Sequence, residues 1–411
     1  MKKIISVILI TFTLLSVLPA ADGTTEHSVI PAVGDTFGYL IKPYQPLTAR
    51  ALGMGSAGVA LPGRSDTFYI NPAALASNRL QISVPSLQVT MYHLYDMVKT
   101  GGFSMAGLTG MVSGIQEGYG KLADINAGLS FTTHGFGFGV NTTISLNTFG
   151  TKDNYGPQAD LFAQVNAAIS LGYGYRFELP AGFSLDVGAL VRFNYLAYTD
   201  TFNASEFINA MNNGGDVMSI INGKQVMAGF SVPFDIGITA NMPLGFSAGL
   251  VARNINGKFY MTGFPGYNEF LANPFGGEPK VSEEGTSSTE LTKFNFSSDW
   301  SLDLGFGWSY DTWYLSPTVA LDFTDLVGMF TTKDFDFKDF MMHVNVGAEV
   351  RVLSFLDVRA GLSQGYWSIG LGLDLWGFKV DAAYYRQEFG ETAGQHGLDG
   401  FTVRINIGYD R

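Results

Sequence analysis

The sequence predicts an all-β fold: a transmembrane antiparallel β-barrel of about 14 strands with an N-terminal hatch in its lumen. From residue 80 onward, apolar and polar residues alternate with period two in roughly fourteen runs, as strands with one apolar and one polar face do. Many runs have about the 9–11 residues that a tilted strand needs to cross a bilayer. The joins between runs are short and long in turn, which is the loop asymmetry of outer-membrane barrels.

The runs lie near 81–92, 123–132, 136–148, 164–177, 183–197, 227–242, 246–256, 296–310, 313–324, 342–353, 356–363, 366–375, 378–386 and 401–409. In the third run, Phe136, Phe138, Val140, Ile144 and Leu146 share one face, and Gly137, Gly139, Asn141, Thr143 and Ser145 share the other. In the fifth, Phe183, Leu185, Val187, Val191 and Phe193 alternate with Ser184, Asp186, Gly188, Arg192 and Asn194. Pro85 interrupts the first run. Six joins are tight turns, Thr133-His134-Gly135 and Trp376-Gly377 among them. Most joins on the other side, 93–122, 149–163, 198–226, 257–295, 325–341 and 387–400, are long. An even strand count places both ends of the barrel on the short-turn side, the periplasmic side of a bacterial outer membrane. A soluble sandwich would not alternate its joins so regularly.

In lipid, the apolar face points outward and closure removes every unpaired strand edge. The polar face then lines the lumen with Asp186, Arg192, Asp235, Arg253, Asp303 and Asp322, followed by Glu349, Arg351, Arg359, Asp381 and Arg404. Mixed signs predict pairing across the lumen, not a single-sign ion pore. Tyr173, Tyr175, Trp300, Trp313 and Trp367 gather at run ends, as interfacial girdles do.

The start of the chain, Met1-Lys2-Lys3, then apolar residues to Leu18, then Pro19-Ala20-Ala21, has the pattern of a secretory signal. The expected organisation is a signal peptide at 1–21, an N-terminal arm and hatch at 22–79 and an outer-membrane barrel at 80–411. The chain has no cysteine, so disulfides and thiolate metal sites are excluded. A net charge of −12 without a Lys/Arg cluster argues against a nucleic-acid partner. The five histidines are scattered without ligand spacing, so no metal or cofactor is expected. No serine sits in a GxSxG elbow, and nothing brings His343 to Ser301 or Ser309, so no catalytic residue is expected.

The stretch Thr48 to Ala76 alternates badly, carries too many glycines for a helix and is rich in small apolar residues. It is expected to pack inside the barrel. Gly53-x-Gly55-x-x-Gly58 formally matches a dinucleotide fingerprint, but no buried strand precedes it and Pro62-Gly63 would stop the following helix. Close backbone packing explains these glycines better. Two long joins are unusually apolar. Phe202, Phe207, Ile208 and Met211 in one, and Phe259, Tyr260, Phe264 and Phe270 in the other, are candidate ligand-binding residues. Such loops either pack on each other or leave an apolar groove. Arg192 and Arg253 are candidate lumenal cations for the polar end of a ligand, or else paired structural ions.

At Ala49-Arg50-Ala51-Leu52-Gly53-Met54-Gly55-x-Ala57-Gly58-Val59-Ala60, with Tyr69-x-Asn71-Pro72-Ala73 after it, the sequence resembles FadL-type outer-membrane transporters of long-chain fatty acids and other hydrophobic compounds. It is also similar to their PorV/PorQ-like branch and to spirochaete relatives. The resemblance implies a hatch containing Gly53, Gly55, Gly58, Asn71, Pro72 and Ala73 inside a fourteen-stranded barrel. It further implies passive, hatch-gated uptake with lateral release, no enzyme activity and no cofactor. The implied partners are a hydrophobic small-molecule ligand, outer-membrane lipid and the barrel-assembly machinery. The PorV-like branch implies an alternative, a secretion-shuttle or adhesion barrel without transport. Two features depart from the family pattern: Ala74 follows Asn71-Pro72-Ala73 in place of glycine, and the chain ends Tyr409-Asp410-Arg411 without a terminal aromatic.

Overall fold

A computed structural model describes residues 42–410 except 62–65, 78, 214–216, 276–292, 313 and 333–334. The expected signal peptide, the arm as far as residue 41 and Trp313 lie outside the described residues. The chain forms one closed antiparallel barrel of fourteen strands. In order these are β1 (Gln81–Tyr92), β2 (Gly118–Thr133), β3 (Phe136–Gly150), β4 (Asp160–Glu178), β5 (Ser184–Thr199) and β6 (Val226–Ser231 with Phe234–Asn241). They continue with β7 (Phe246–Ile255 with Lys258–Phe264), β8 (Lys293–Ser297 with Ser301–Ser309), β9 (Leu315–Phe323) and β10 (Val344–Val352). The ring ends with β11 (Leu356–Ser363), β12 (Tyr366–Leu375), β13 (Phe378–Glu388) and β14 (Gly397–Asp410). β1 closes it by pairing β2 on one side and β14 on the other, with Leu87 opposite both Ala127 and Ile405.

Alternation sets the two faces as expected. Leu87, Ile144, Leu171, Ile369 and Ile407 are exposed on the outside, while Asn141, Ser145, Ser170, Asp186 and Arg192 are buried within. An outer face this apolar all round the ring is stable only against lipid, so the barrel is of transmembrane type. Among the described residues, no helix is long and apolar enough to cross a membrane.

The structure corrects three expectations. β2 begins at Gly118, and β3 and β4 run on to Gly150 and from Asp160, so their join shrinks to 151–159. Glycines dilute the alternation there and hide the strand ends. β7 continues through Lys258–Phe264, which makes Phe259, Tyr260 and Phe264 strand residues. The long joins also carry helices. α2 (Leu94–Thr100) and α3 (Met105–Ser113) follow β1, and α4 (Ala204–Asn212) and α5 (Val217–Asn222) follow β5. α6 (Tyr267–Ala272) follows β7, and α7 (Leu326–Thr331) and α8 (Phe337–Met342) follow β9. Capping side chains start several of them, such as Ser104 at α3 and Asn203 at α4.

The hatch is not wholly irregular, as its glycines suggested. It holds α1 (Ala49–Gly53), capped by Thr48, and two 3-10 turns, Thr67–Tyr69 and Pro72–Ala76. It crosses the lumen, with α1 against β11, β12 and β13 and the Pro72–Ala76 turn against β4, β5 and β6. The wall meets it with glycine. Gly139 faces the Tyr69 ring, Gly188 faces the Pro72–Ala73 backbone and Gly237 faces the Asn71 side chain. A Cβ on Gly249 would stand 2.7 Å from the Val59 carbonyl oxygen, and one on Gly305 would stand 2.6 Å from Val59 Cβ. Gly347, Gly361 and Gly370 carry the seat round to Met54, Gly55 and Gly53. The hatch glycines pack likewise. Gly55 has φ 61° and lies between the Leu362 and Val346 backbones, where a side chain has no room.

Gly188→Leu should therefore unseat the hatch without unmaking the barrel. The expected result is a normal heat-modifiable band on gels together with a steady current in planar bilayers where the native chain stays closed. A closed baseline in the variant would contradict the seat.

Candidate functional site

A buried, irregular backbone needs hydrogen-bond partners from outside itself. The barrel wall supplies them. The Gln88 carboxamide of β1 accepts from Ala49 N at 2.9 Å and donates to Leu47 O at 3.1 Å. Ser368 of β12 accepts from Gly55 N at 3.1 Å, and Ser247 of β7 donates to Ala60 O at 2.7 Å. One carboxylate oxygen of Asp322, on β9, accepts from both Gly58 N and Val59 N, at 2.6 and 3.0 Å.

Asn71 explains the Asn-Pro-Ala motif physically. Its Oδ1 accepts from Ala73 N at 3.0 Å and so caps the 3-10 turn, which Pro72 opens at the position where a missing N–H costs nothing. Its Nδ2 donates to Val59 O at 2.7 Å and to Thr239 Oγ1 of β6 at 3.2 Å, tying the two halves of the hatch to each other and to the wall.

Arg50 of α1 carries a charge into the interior. Its guanidinium lies 2.9 Å from Glu349 on β10 and 3.6 Å from Asp66. Glu349 is shared with Arg359 of β11 at 2.7 Å, and Arg359 also reaches Asp357 at 2.7 Å and Asp381 at 2.6 Å. Arg351 completes the array on Asp357 at 2.7 Å. The lumenal charges thus pair along the wall, between neighbouring strands and with the hatch, instead of across the lumen. Adjacent strands are only about 4.8 Å apart, and the hatch occupies the middle.

Against the hatch lies a lumenal cavity of about 550 Å³. Arg192 and Arg253 both line it, each paired: Arg192 Nη2 with Asp235 at 2.8 Å, Arg253 Nη2 with Asp303 at 2.7 Å. Arg192 also donates to the Tyr44 carbonyl at 2.7 Å and so fixes the arm that leads to the hatch. Toward the long-loop end, a cluster that includes Tyr92, Tyr119, Phe162, Tyr198, Phe259 and Tyr385 fills the lumen, with Leu52 of the hatch packed beneath it. Phe259 stacks on Phe296 there, ring centroids 5.0 Å apart.

Three neighbouring strands break at one level. β6 breaks at Val232-Pro233, β7 at Asn256-Gly257 and β8 at Ser298–Trp300, and Pro233 has no N–H to give. Asn254 and Asn256 take left-handed conformations, φ 57° and 62°, and Asn254 Nδ2 bonds the Ser298 and Asp299 carbonyls that the ladder leaves over. Asp299 and Trp300 in the β8 break, and Ser301 where the strand resumes, all border the cavity, and Trp300 is also 48% exposed.

At the long-loop end is a smaller cleft of about 100 Å³, lined only by apolar side chains. Phe207, Ile208 and Met211 form one side; Met91, Met105, Leu108 and Met111 face them. Phe202 is buried in the cluster beside it. The predicted ligand-binding residues are therefore dispersed. Three line the cleft, Phe259 belongs to the lumenal aromatic layer, and Phe264 and Phe270 form a separate cluster with Val226. Tyr260 is exposed and follows Phe230 and Phe193 in a row of rings, because strand alternation points it away from Phe259 and Met261. Met105, Leu108 and Met111 escaped notice although their spacing of three marks a helical apolar face. The glycine seat was visible as glycine on the polar face of the strands, a signal that pattern reading passes over.

No protein-family model and no curated sequence matches the chain. In fold the chain is similar to solved channels. The toluene transporter TodX of Pseudomonas putida aligns over 90% of this chain and 99% of its own at 11% identity and a TM-score of 0.44. The CymD monoaromatic hydrocarbon channel aligns over 90% and 98% at 12% identity and 0.47, and a Pseudomonas aeruginosa FadL homologue over 88% and 98% at 14% and 0.41. The barrel assignment rests on the closed ring of strands itself.

Two outcomes follow from this geometry. Arg359→Met takes the cation from Asp381 and leaves Glu349 and Asp357 only Arg50 and Arg351, and should cost about 3–5 kcal/mol in urea unfolding from detergent. His93 is the residue before α2, and burial holds its imidazole below the ordinary 6.5 against the pull of Asp399 and Asp96. Its neutral form therefore contributes stability above pH 6.5 that is lost as pH falls below it. The long-loop helices should melt at lower temperature at pH 5 than at pH 7, and His93→Gln should reduce that difference, the remainder coming from His396, which burial also holds low.

Proposed function

We propose that this chain is an outer-membrane channel for passive uptake of hydrophobic small molecules, gated by the hatch and releasing its cargo sideways. Both ends of the barrel face the periplasm in this reading. The observation that carries it is the combination of an apolar-faced barrel with a lumen closed by a hatch that polar contacts hold. The hydrogen bonds that tie the hatch to the wall are exchangeable, since water or a ligand can replace those it loses on shifting. The apolar cleft beside α3 and α4 supports capture at the exterior, where an amphiphile leaves water for a dry surface. The break across β6, β7 and β8 supports the side exit, because the ladder there is already interrupted and the cavity reaches Trp300. The sequence resemblance favours long-chain fatty acids as cargo.

The alternative, an interaction barrel without transport, draws support from Phe103, Phe330 and Phe337, which are 80%, 81% and 75% exposed on the long-loop side. Uptake separates the two. Vesicles carrying the purified barrel should take up a labelled fatty acid saturably. Asn71→Ala, which removes the cap and both Nδ2 bonds, should change that rate about tenfold or more. Absence of saturable uptake in the native protein would sink the channel reading.

A further inference from the structure

The apolar cleft lies on the outside of the barrel wall, as strand alternation requires. On β1, Leu87 and Val89 are exposed on the outward face, and Met91 comes next on that face. On β2 and β3, Ile125 and Ile144 are exposed outward, and Ala123 and Leu146 come next. The register joins these residues into two rows. Val89 stands opposite Ile125 and Ile125 opposite Ile144; one step on, Met91 stands opposite Ala123 and Ala123 opposite Leu146. The first row is bare wall of the kind that faces lipid, and the second is the floor of the cleft. Tyr92, beside Met91, points the other way into the lumenal aromatic layer.

Strand length gives the depth of that floor. Met91 is the eleventh residue of β1 from Gln81, and Leu146 is the eleventh of β3 from Phe136. Ala123 is the eleventh of β2 counted back from Thr133. A tilted strand crosses the hydrocarbon layer in about 9–11 residues. With the short turns at the periplasmic face, the floor stands where the chains of the outer leaflet meet the headgroups. α3 and α4 supply the walls, and Met105, Met111 and Met211 there are flexible enough to fit a chain of irregular shape. Every lining side chain is apolar, so the polar end of an occupant stays outside the cleft.

We infer that the cleft takes the hydrocarbon end of an amphiphile lying in the outer leaflet, which enters sideways along the wall with its polar end left among the headgroups. This rests on the channel reading and gives its capture step a route. A fatty acid leaves water for the leaflet first and reaches the barrel from there. At about 100 Å³ the cleft holds the end of the chain, and the rest lies along the row of Val89, Ile125 and Ile144.

The chain has no cysteine, so single-cysteine barrels in phosphatidylcholine vesicles report on the cleft directly. Met211→Cys at the cleft, Val89→Cys on the bare wall and Tyr155→Cys in the exposed join after β3 each carry one fluorophore. Phosphatidylcholine brominated in its chains should quench Met211→Cys as far as Val89→Cys, while iodide in the water should quench only Tyr155→Cys strongly. Added dodecanoate should then relieve most of the lipid quenching at Met211→Cys and leave Val89→Cys unchanged. Iodide quenching at Met211→Cys without lipid quenching would put the cleft in water and overturn the inference. Lipid quenching that dodecanoate does not relieve would make the cleft a seat for resident lipid only, and would overturn it too. Met105→Cys, across the cleft, gives the same reading if a label at the first position disturbs α4. Quenching is read without transport, so a failure here is distinct from the absence of saturable uptake that would sink the channel.

Discussion

The close seat of the hatch on the barrel wall is the constraint on which the rest of this structure depends. A segment of nearly thirty residues with only short helical turns can be buried only if its backbone is hydrogen-bonded and no void is left around it. The wall meets both demands with different residues. Inward glycines from β3 round to β12 let the hatch approach backbone to backbone, and Ala320 does the same on β9. Gln88, Thr239, Ser247, Asp322 and Ser368 reach inward to the groups that helix or sheet would otherwise pair. Removing a side chain from the wall and adding a polar one beside it are two halves of one solution.

That solution fixes the electrostatics. With the hatch in the centre, wall charges have no free path across the lumen and pair with their neighbours along it. Arg50 joins the array through Glu349, so the hatch is attached at one side by ions and at the other by Asn71 and glycine contact. Buried pairs of this kind add little net stability over an apolar core, but breaking one partner is costly. They serve register more than strength: the hatch can sit in one place. Small apolar clusters seat the hatch on Leu190, Val251 and Ala320, and larger apolar surfaces lie outside toward lipid and above it in the aromatic layer and the cleft.

Much of this was legible in the sequence. Each of the fourteen alternating runs coincides with a strand, because side-chain period two survives wherever one face is apolar and the other polar. Alternation failed where glycine replaced the polar partner, at Gly118 and Gly120, and there the strand ends were misplaced. It also failed at β7, where consecutive aromatics at Phe259 and Tyr260 read as an apolar loop although they occupy opposite faces. Arg192 and Arg253 were found because a cation on an inward position is conspicuous. Their aspartate partners on adjacent strands were not assigned, since pairing depends on register, which turn lengths and bulges set. The dispersal of the predicted apolar residues has the same cause: neighbours in a loop become neighbours in space only when the loop does not continue a strand.

The central claim is that passage requires the hatch to leave its seat, and the absence of native cysteine makes it directly testable. A Cβ at Gly53 would lie 3.5 Å from Ala383 Cβ, within the span a disulfide needs, and 3.0 Å from Gly370 Cα, so the reduced variant is first required to match native uptake and to stay closed to ions. Uptake of a labelled hydrophobic probe by vesicles carrying the Gly53→Cys, Ala383→Cys barrel should be measured oxidised, then reduced. This account predicts transport that stops on oxidation and returns on reduction, with the barrel folded throughout. Transport at the same rate in both states, with the crosslink verified by mass spectrometry, would contradict it.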